Sequence, residues 1–304
     1  MEIRLYNKNS STVISLSKLF LSMDEGEKIP TFEELSKDMM VARGTIQNSM
    51  NLLIEDKVIE LLPRGRKGTF LIKKDIQKLI QYANIHNLLG AMSLPYSKVY
   101  EGLATGLKMS LKNKYHVPVN MTYMRDATNR IEEMLEGRYD FVIISKLSAE
   151  IAIKRDKPIT IVKDFGPKTY LSSHVIVFSK GEYTKIEDGM IVGLAKGANS
   201  QNLWTKRTCG NRNVTYVEAD YNKILELVKN KEIDATVWNR DEINDALFQL
   251  TTVPIYSDEE STNAVLAVDD NRQELIKLID EIVDVKTVTD IQKQVIDGNI
   301  LPKY

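Results

Sequence analysis

The spacing of apolar residues changes near residue 88, and this change limits the chain to a two-part architecture. Between residues 10 and 72, apolar side chains recur mainly at helical spacing, and two short strand-like runs end the segment. From residue 88 onward, short apolar runs alternate with helical segments, which favours α/β structure. A length of 304 residues accommodates about two or three domains.

The first segment is predicted to form three helices. Apolar residues from Val13 to Phe20 place a first helix at about 11–23. The run Thr31-Phe32-Glu33-Glu34 is a capping box, because the threonine hydroxyl and the glutamate three residues later can satisfy free amides at a helix start. In the second helix and in a third helix over 42–55, we expect these residues to be buried: Leu35 with Met39 or Met40, and Ile46, Met50, Leu53 and Ile54.

A basic hairpin is predicted after the third helix. Two strand-like runs, at 58–62 and 69–72, flank Pro63-Arg64-Gly65-Arg66-Lys67-Gly68, whose glycines permit a tight connection. Residues 61–74 include five basic residues and no acidic one, although the whole chain has a net charge of only −1. Such a patch on a near-neutral chain indicates a region that meets a polyanion. The alternative is a solvated hairpin tip.

Three helices followed by a hairpin is the order of a winged helix-turn-helix. Four short segments resemble the DNA-binding domain of the GntR regulators: Ile29-Pro30-Thr31, Glu34-Leu35-Ser36, Val41-Ala42-Arg43-Gly44-Thr45-Ile46 and Gly68-Thr69-Phe70-Leu71. This resemblance implies a dimer that places two third helices in successive major grooves, with the wings on the flanking minor groove or backbone. Glu33, Ala42 and Gln47 depart from the arginine, serine and arginine usual there, so we expect a different operator and a larger contribution from the wing.

The third helix has a polar face that suits base recognition. Arg43, Gln47 and Asn51 follow one another at four-residue spacing. Arginine can bond guanine O6 and N7 together, and Gln or Asn can do the same with adenine N6 and N7. An exposed helix face without a ligand is the alternative. We predict that DNA is contacted by seven residues of the helix and wing: Arg43, Thr45, Gln47, Asn48, Arg64, Arg66 and Lys67.

The larger part contains two series of elements with the same plan. Asp126 and Asp140 are fourteen residues apart, and so are Asp220 and Asp234; a helix lies between the members of each pair, and a strand follows. The repetition predicts two lobes, with the chain crossing between them near 165–178 and 252–266. We expect a DNA-binding domain at 1–74, a helical linker at 75–87 and an effector-binding domain at 88–304, with lobe one at about 88–170 plus 262–304 and lobe two at about 171–261.

The two-lobed plan resembles a type 2 periplasmic-binding-protein fold. Leu94-Pro95-Tyr96-Ser97 at a strand-to-helix turn and the unit ending in Gly137-Arg138-Tyr139-Asp140 are similar to that fold. With the winged helix attached, the chain resembles the YhfZ group of regulators over nearly its full length. The implied fold class is α/β, with an N-terminal winged helix-turn-helix and a two-lobed effector domain.

The fold implied by the resemblance places a ligand cleft between the lobes, where strand ends and helix starts meet. Free amides and the helix dipole favour an anion at such positions. Each residue there has an alternative structural role, such as helix capping, a surface ion pair or burial in the core. The predicted effector-binding residues are Tyr96, Ser97, Arg125, Asp126, Ser145, Lys146, Asn199, Ser200, Gln201, Asp220 and Trp238.

No catalytic signature is visible in the sequence, which lacks a G-x-S-x-G elbow, a P-loop and an H-E-x-x-H motif. Cys209 is the single cysteine, and only three histidines occur, far apart, so we expect neither a disulfide, a metal, a catalytic site nor a cofactor. With no apolar stretch of membrane-spanning length, the chain is expected to be cytoplasmic.

The sequence therefore predicts a dimeric, ligand-responsive transcription regulator that binds a double-stranded operator and senses a small anionic metabolite. The alternative is a small-molecule-binding or catalytic protein whose helix-turn-helix mainly dimerises.

Overall fold

The computed structural model describes residues 8–110, 115, 117–243, 250–255 and 259–304. The chain divides into two compact units: Met1–Leu88 with Leu111–Pro118 and Asn271–Ile282, and Leu89–Ser110 with Val119–Asp270 and Val283–Tyr304. Within the described ranges, no helix is long and apolar enough to cross a membrane.

The first unit contains a helix-turn-helix followed by a two-stranded wing. Its elements are α1 (Lys8–Ser22), α2 (Phe32–Asp38), α3 (Arg43–Glu55) and the antiparallel strands β1 (Ile59–Pro63) and β2 (Thr69–Lys74). The predicted capping box begins α2. The amide of Thr31 donates to Oε2 of Glu34 at 2.7 Å, and the amide of Glu34 donates to Oγ1 of Thr31 at 3.2 Å.

One predicted core position of this unit is wrong, and of the alternatives Met39 and Met40 the structure excludes Met40. Ile46, Met50 and Leu53 are buried along α3, but the side chain of Ile54 is 41% exposed. Ile54 directly follows Leu53 but points about 100° away from it around the helix axis, on the side of α3 that is open to solvent. Met40 is 90% exposed, because it adopts a φ of 52° in the turn after α2 instead of continuing that helix.

Two further helices pack against α1 in the first unit. They are α4 (Ile76–Tyr82), which lies in the expected linker, and α10 (Gln273–Ile282), which the sequence assigned to lobe one. Nζ of Lys74 donates to the carbonyls of Phe20, Leu21 and Met23, and so satisfies free acceptors at the end of α1. Thus a residue of the basic stretch serves the fold of this unit.

The second unit contains both lobes. Lobe one has a five-stranded sheet in the order β4-β3-β5-β12-β6. Its strands are β3 (Leu88–Met92), β4 (Val119–Tyr123), β5 (Phe141–Ser145), β6 (Ile159–Asp164) and β12 (Ala264–Asp269). Its helices are α5 (Lys98–Ser110), α6 (Ala127–Leu135), α7 (Lys146–Ile153) and α11 (Val285–Ile296). The sequence after Ser97 predicts a helix through about Lys112, and the part of that prediction beyond Ser110 lies outside the described residues.

Lobe two has the matching sheet order β11-β7-β10-β8-β9. Its strands are β7 (His174–Phe178), β8 (Ile191–Ala195), β9 (Thr215–Ala219), β10 (Ala235–Asn239) and β11 (Thr251–Pro254), and its helices are α8 (Asn199–Cys209) and α9 (Ile224–Lys229). In each sheet, one strand that lies near a crossing of the chain between the lobes runs antiparallel to its neighbours. In lobe two this strand is β7, which pairs with β10, and in lobe one it is β12, which pairs with β5. The sequence predicted the crossings but not these strands.

The predicted repeat is visible in a pair of hydrogen bonds that occurs once in each lobe. In lobe one, the amide of Asp140 donates to the carbonyl of Leu89 at 2.7 Å, and the amide of Leu89 donates to Oδ2 of Asp140 at 2.9 Å. In lobe two, the amide of Asp234 donates to the carbonyl of Ile191 at 2.7 Å, and the amide of Ile191 donates to Oδ2 of Asp234 at 2.8 Å. Each aspartate thereby fixes the start of one central strand against the next.

Candidate functional site

The polar face of α3 is open to solvent in the described structure. Arg43, Gln47 and Asn48 are exposed and Thr45 is half-buried, while Ile46 lies in the core. Ala42 precedes α3 without a side-chain cap, so the first amides of this helix keep free hydrogens. Free amides and cationic side chains at a helix start favour a phosphate group.

The wing presents three exposed basic residues beside the turn. Arg64, Arg66 and Lys67 lie in the connection between β1 and β2, where Gly65 has a φ of 55° and Gly68 a φ of 98°. The guanidinium carbon of Arg64 lies 4.7 Å from the centroid of the Phe70 ring, which holds this charge at the base of the wing. The geometry therefore keeps all three charges in solvent.

A cavity of about 290 Å³ lies between the two lobes of the second unit. Its volume is close to the lower end of the range of small-ligand sites, roughly 300 Å³. Eight of the eleven predicted effector-binding residues line it: Tyr96, Arg125, Asp126, Ser145, Asn199, Ser200, Gln201 and Asp220.

The other three predicted residues are not part of the cavity lining. Ser97 is buried and its Oγ accepts from the amide of Tyr100 at 3.3 Å, which makes it a cap of α5. Lys146 forms an ion pair with Asp164 at 3.3 Å. Trp238 is 2% exposed and packs behind Tyr221, with their ring centroids 4.4 Å apart. These three side chains are used for packing or pairing within their lobes.

Sequence reasoning missed the most deeply placed charge of the cavity, Arg130. Its side chain is 1% exposed. Nη1 donates to the carbonyl of Met124, Nη2 donates to the hydroxyl of Tyr170 at 3.1 Å, and Nε has no hydrogen-bonding partner. Arg130 makes no ion pair with any carboxylate of the described residues. Its position on the buried side of α6, next to Ile131, was the available signal, since arginine rarely occupies such a position.

A second arginine lies among aromatic rings nearer the solvent. The Arg125 guanidinium carbon is 5.4 Å from the ring centroid of Tyr96 in lobe one and 5.9 Å from that of Tyr221 in lobe two. The Tyr221 hydroxyl donates to Oε2 of Glu242 at 2.7 Å. Burial raises the pKa of Glu242, although hydrogen bonds from Tyr221 and Asn239 oppose that change. This carboxyl therefore contributes a full negative charge less readily than an exposed one.

Two buried nitrogens without hydrogen-bonding partners belong to residues of lobe two that line the cavity. Neither Nδ1 of His174 nor Nε1 of Trp204 has a hydrogen-bonding partner, and both side chains line the cavity. Burial lowers the pKa of His174 to about 4, so this imidazole is neutral near pH 7. Neither residue was identifiable from the sequence, because His174 begins a buried strand and Trp204 lies on the buried side of α8, as core aromatic residues do.

The two lobes touch across the cavity mouth. Nδ2 of Asn199 in lobe two donates to Oγ1 of Thr128 in lobe one at 2.9 Å. Gly197 has a φ of 75°, and a Cβ built there would lie only 2.5 Å from Oδ2 of Asp126. The approach at Gly197 is so close that it requires glycine. We call this state, in which the two lobes are in contact at Asn199 and Gly197, the closed arrangement.

These features define a class of protein: a helix-turn-helix joined to a two-lobed, binding-protein-like domain, which is the architecture of a DNA-binding regulator. The sequence matches the YhfZ C-terminal domain over residues 75–304 and a helix-turn-helix domain over residues 24–71. The chain belongs to the YhfZ family. It is 29% identical to YhfZ of Escherichia coli K12 over 99% of both chains. The finer likeness to GntR regulators stays a prediction.

Solved structures agree with the fold. The crystal structure of YhfZ from Shigella flexneri matches with a TM-score of 0.64 and 29% identity, covering 75% of this chain and 97% of that one. The alkanesulfonate-binding protein SsuA from Xanthomonas axonopodis pv. citri, bound to MOPS, matches with a TM-score of 0.54 and 12% identity, covering 70% of this chain and 75% of that one. The latter similarity shows the two-lobed fold alone.

Proposed function

We propose that this protein is a dimeric, cytoplasmic transcription regulator that responds to a small anionic effector. The observation that carries the proposal is the exposed polar face of α3, where Arg43, Gln47 and Asn48 extend into solvent beside the uncapped helix start. Together with the exposed cations of the wing, this face supplies both base-reading and phosphate-binding groups. Two such faces on a dimer would read a pseudo-palindromic operator.

The effector site in this proposal is the cavity between the lobes. Arg130 brings a buried positive charge without a carboxylate partner among the described residues, and a bound anion would neutralise it. The helix α8 starts at the cavity without a side-chain cap, so its first amides can also donate to the ligand. Contacts from both lobes would favour the closed arrangement when the effector is bound.

A covalent route connects the effector domain to the DNA-binding unit. α10 packs within the first unit, whereas α11 packs against α5 in the second, and only Val283 and Asp284 separate the two helices. We propose that cleft closure alters the position of α10 and hence the pair of DNA-binding helices in the dimer. Such coupling requires that the effector bind one dimer arrangement more tightly than the other.

We further propose that the cleft binds its ligand without transforming it. Cys209 is fully buried, and desolvation raises the pKa of its thiol, which makes this group a poor nucleophile. The alternative is a small-molecule-binding or catalytic protein whose helix-turn-helix mainly dimerises. DNA binding separates the two proposals.

The test is fluorescence anisotropy with DNA from upstream of the gene, using random DNA as competitor at several salt concentrations. Arg43→Ala should weaken specific binding by about 1–3 kcal/mol, and Arg66→Ala with Lys67→Ala should lower the salt slope by about two units. Lys185→Ala removes an exposed charge in lobe two and serves as the matched control. Unchanged DNA affinity in the α3 and wing variants would contradict the assigned interface.

A further inference from the structure

The hydrogen-bonding capacity of Arg130 is only partly used. A guanidinium has five N–H donors and stays charged at every pH that a protein tolerates. Two nitrogens of Arg130 donate to neutral acceptors, the carbonyl of Met124 and the hydroxyl of Tyr170, and the buried Nε–H has no partner. A buried cation with neutral neighbours is costly, so the site is incomplete without an anion.

The acids that line the cavity are committed elsewhere. Oδ1 of Asp126 accepts from the amide of Thr128 at 2.8 Å, and Asp220 pairs with Lys196 at 3.6 Å. Glu242 accepts from Tyr221 and Asn239. Among the described residues that line the cavity, these three are the acidic ones. None makes an ion pair with Arg130.

The phenols around Arg130 do not supply the missing charge. The hydroxyl of Tyr170 lies 3.0 Å from Oγ of Ser93, and the ring of Tyr100 packs edge-on against that of Tyr170 at 5.1 Å. Burial raises the pKa of Tyr100 well above its ordinary value, so this phenol is neutral near pH 7. The hydroxyl of Tyr170 accepts from the guanidinium and is itself hydrogen-bonded to Ser93, so these contacts orient Arg130 without a carboxylate.

We propose that the cleft ligand is a small organic carboxylate whose carboxylate group pairs with Arg130, and whose second polar group accepts from the indole N–H of Trp204. The ligand class deepens the proposed function, on which it rests. One uncompensated buried cation calls for one negative charge, and the planar edge of a guanidinium matches the two oxygens of a carboxylate. The unpartnered Nε1 of Trp204 in lobe two provides the donor for the other end.

Intrinsic fluorescence provides a direct assay because the chain contains two tryptophans, and both lie by this cavity. Trp204 lines it, and Trp238 packs behind Tyr221. The full-length protein is titrated with acetate, pyruvate, acetamide and inorganic phosphate at constant ionic strength. We expect a saturable change with acetate, tighter binding of pyruvate because its keto oxygen adds an acceptor, and weaker binding of acetamide and phosphate. No saturation with either carboxylate, or acetamide or phosphate binding as tightly, would overturn the proposal.

Two variants test the assigned residue. Arg130→Lys keeps the charge but loses the planar pair of donors, so affinity for pyruvate should fall by about tenfold or more. Arg155→Ala removes an exposed cation that also lines the cavity and should change affinity less than about twofold. Equal losses in the two variants would show that only the general charge matters and would overturn the role of Arg130.

A third variant covers the case in which Arg130→Lys does not fold. Tyr170→Phe leaves the arginine in place and removes the hydroxyl that accepts from its Nη2. We expect affinity for pyruvate to fall by about tenfold or more, the effect of losing one hydrogen bond to a charged group. Full retention of affinity would contradict the site.

The assay uses no DNA, so its outcome is separable from that of the proposed function. Carboxylate binding through Arg130 without any change in DNA affinity would refute the regulatory response and leave the ligand class intact. Specific DNA binding with no carboxylate binding would do the opposite.

Discussion

The two lobes of the second unit share a scaffold and differ in the groups that they bring to the cleft. Asp140 in lobe one and Asp234 in lobe two form the same two-way hydrogen bonds with a neighbouring strand, and the two sheets have the same strand order. The cleft-facing chemistry is not repeated. Lobe one supplies the permanently charged Arg130, whereas lobe two supplies the neutral His174.

The helix starts around the cleft differ in the same way. In lobe one, side chains of Ser97, Asp126 and Ser145 cap α5, α6 and α7. In lobe two, α8 begins after Ala198 without a side-chain cap. Capped helix starts stabilise their own lobe, while uncapped amides remain for a ligand. Repeated residues thus form the frame of both lobes, whereas the residues that line the cleft differ between them.

The largest expected effect concerns His174 and the acid stability of lobe two. Its folded pKa of about 4 lies below the ordinary value of 6.5, because burial disfavours the cation. The unfolded chain therefore binds the proton more readily, and stability present above pH 6.5 is lost as pH falls toward 4, by up to about 3 kcal/mol. Urea unfolding at several pH values should show a shallower acid decline for His174→Asn.

Replacement of the exposed His86 by Asn is the control for that measurement. It removes a histidine without removing a buried one. An acid decline that is as steep in His174→Asn as in the unmodified protein would show that His174 is not the group responsible.

The next effect concerns the contact between the lobes at Gly197. Gly197→Ala places a Cβ against Asp126 and costs the closed arrangement about 1–3 kcal/mol. Gly189→Ala is the matched control in lobe two, because its φ of 85° carries similar backbone strain but no atom lies within 4 Å of the added Cβ. Acrylamide quenching of Trp204 should increase in Gly197→Ala and stay unchanged in Gly189→Ala. Equal quenching in both variants would show that the contact between Gly197 and Asp126 does not stabilise the closed arrangement.

The aspartate pair tests whether the shared frame has equal weight in both lobes. Asp140→Ala and Asp234→Ala each remove an acceptor for a strand amide and should lower the free energy of unfolding by about 1–2 kcal/mol. Because the sites lie in different lobes, the double variant should show additive losses. The Asn variants keep an acceptor oxygen and should lose less. A large loss in one lobe alone would refute the equivalence.

The smallest effect separates two ion pairs. Lys146 and Asp164 in lobe one are 22% and 36% exposed, whereas Lys196 and Asp220 in lobe two are 63% and 55% exposed. Water screens the second pair more strongly, so double-mutant cycles should give a coupling of up to about 1 kcal/mol in lobe one and less than about 0.5 kcal/mol in lobe two. Equal couplings would contradict this ranking.

Local signals explain why the N-terminal unit was largely predictable. A capping box spans four consecutive residues, and the burial of Ile46 and Met50 follows from helical spacing alone. The prediction for Ile54 was wrong because Leu53 and Ile54 lie three and four residues after Met50, and both spacings are typical of one helix face. Only Leu53 is buried. The predicted DNA-contacting residues of α3 follow from the same periodicity, since a buried stripe defines the exposed face opposite to it.

The cleft was only partly predictable because its residues come together from distant parts of the chain. Strand ends and helix starts pointed to Arg125, Asn199 and Ser200, as the fold class requires. Whether Ser97 or Trp238 faces the cavity or the core depends on packing that no local spacing encodes.

The sequence by itself determined the order of the elements, the capping box, the basic wing and the two-lobed repeat, because each depends on residues close in the chain or on a fixed period. Only the tertiary structure decided that Arg130 is buried without an acid, that Gly197 meets Asp126, and that α10 packs with the first unit. These facts depend on which distant side chains arrive at the same place. Burial and electrostatic pairing are properties of that place, and one-dimensional spacing does not contain them.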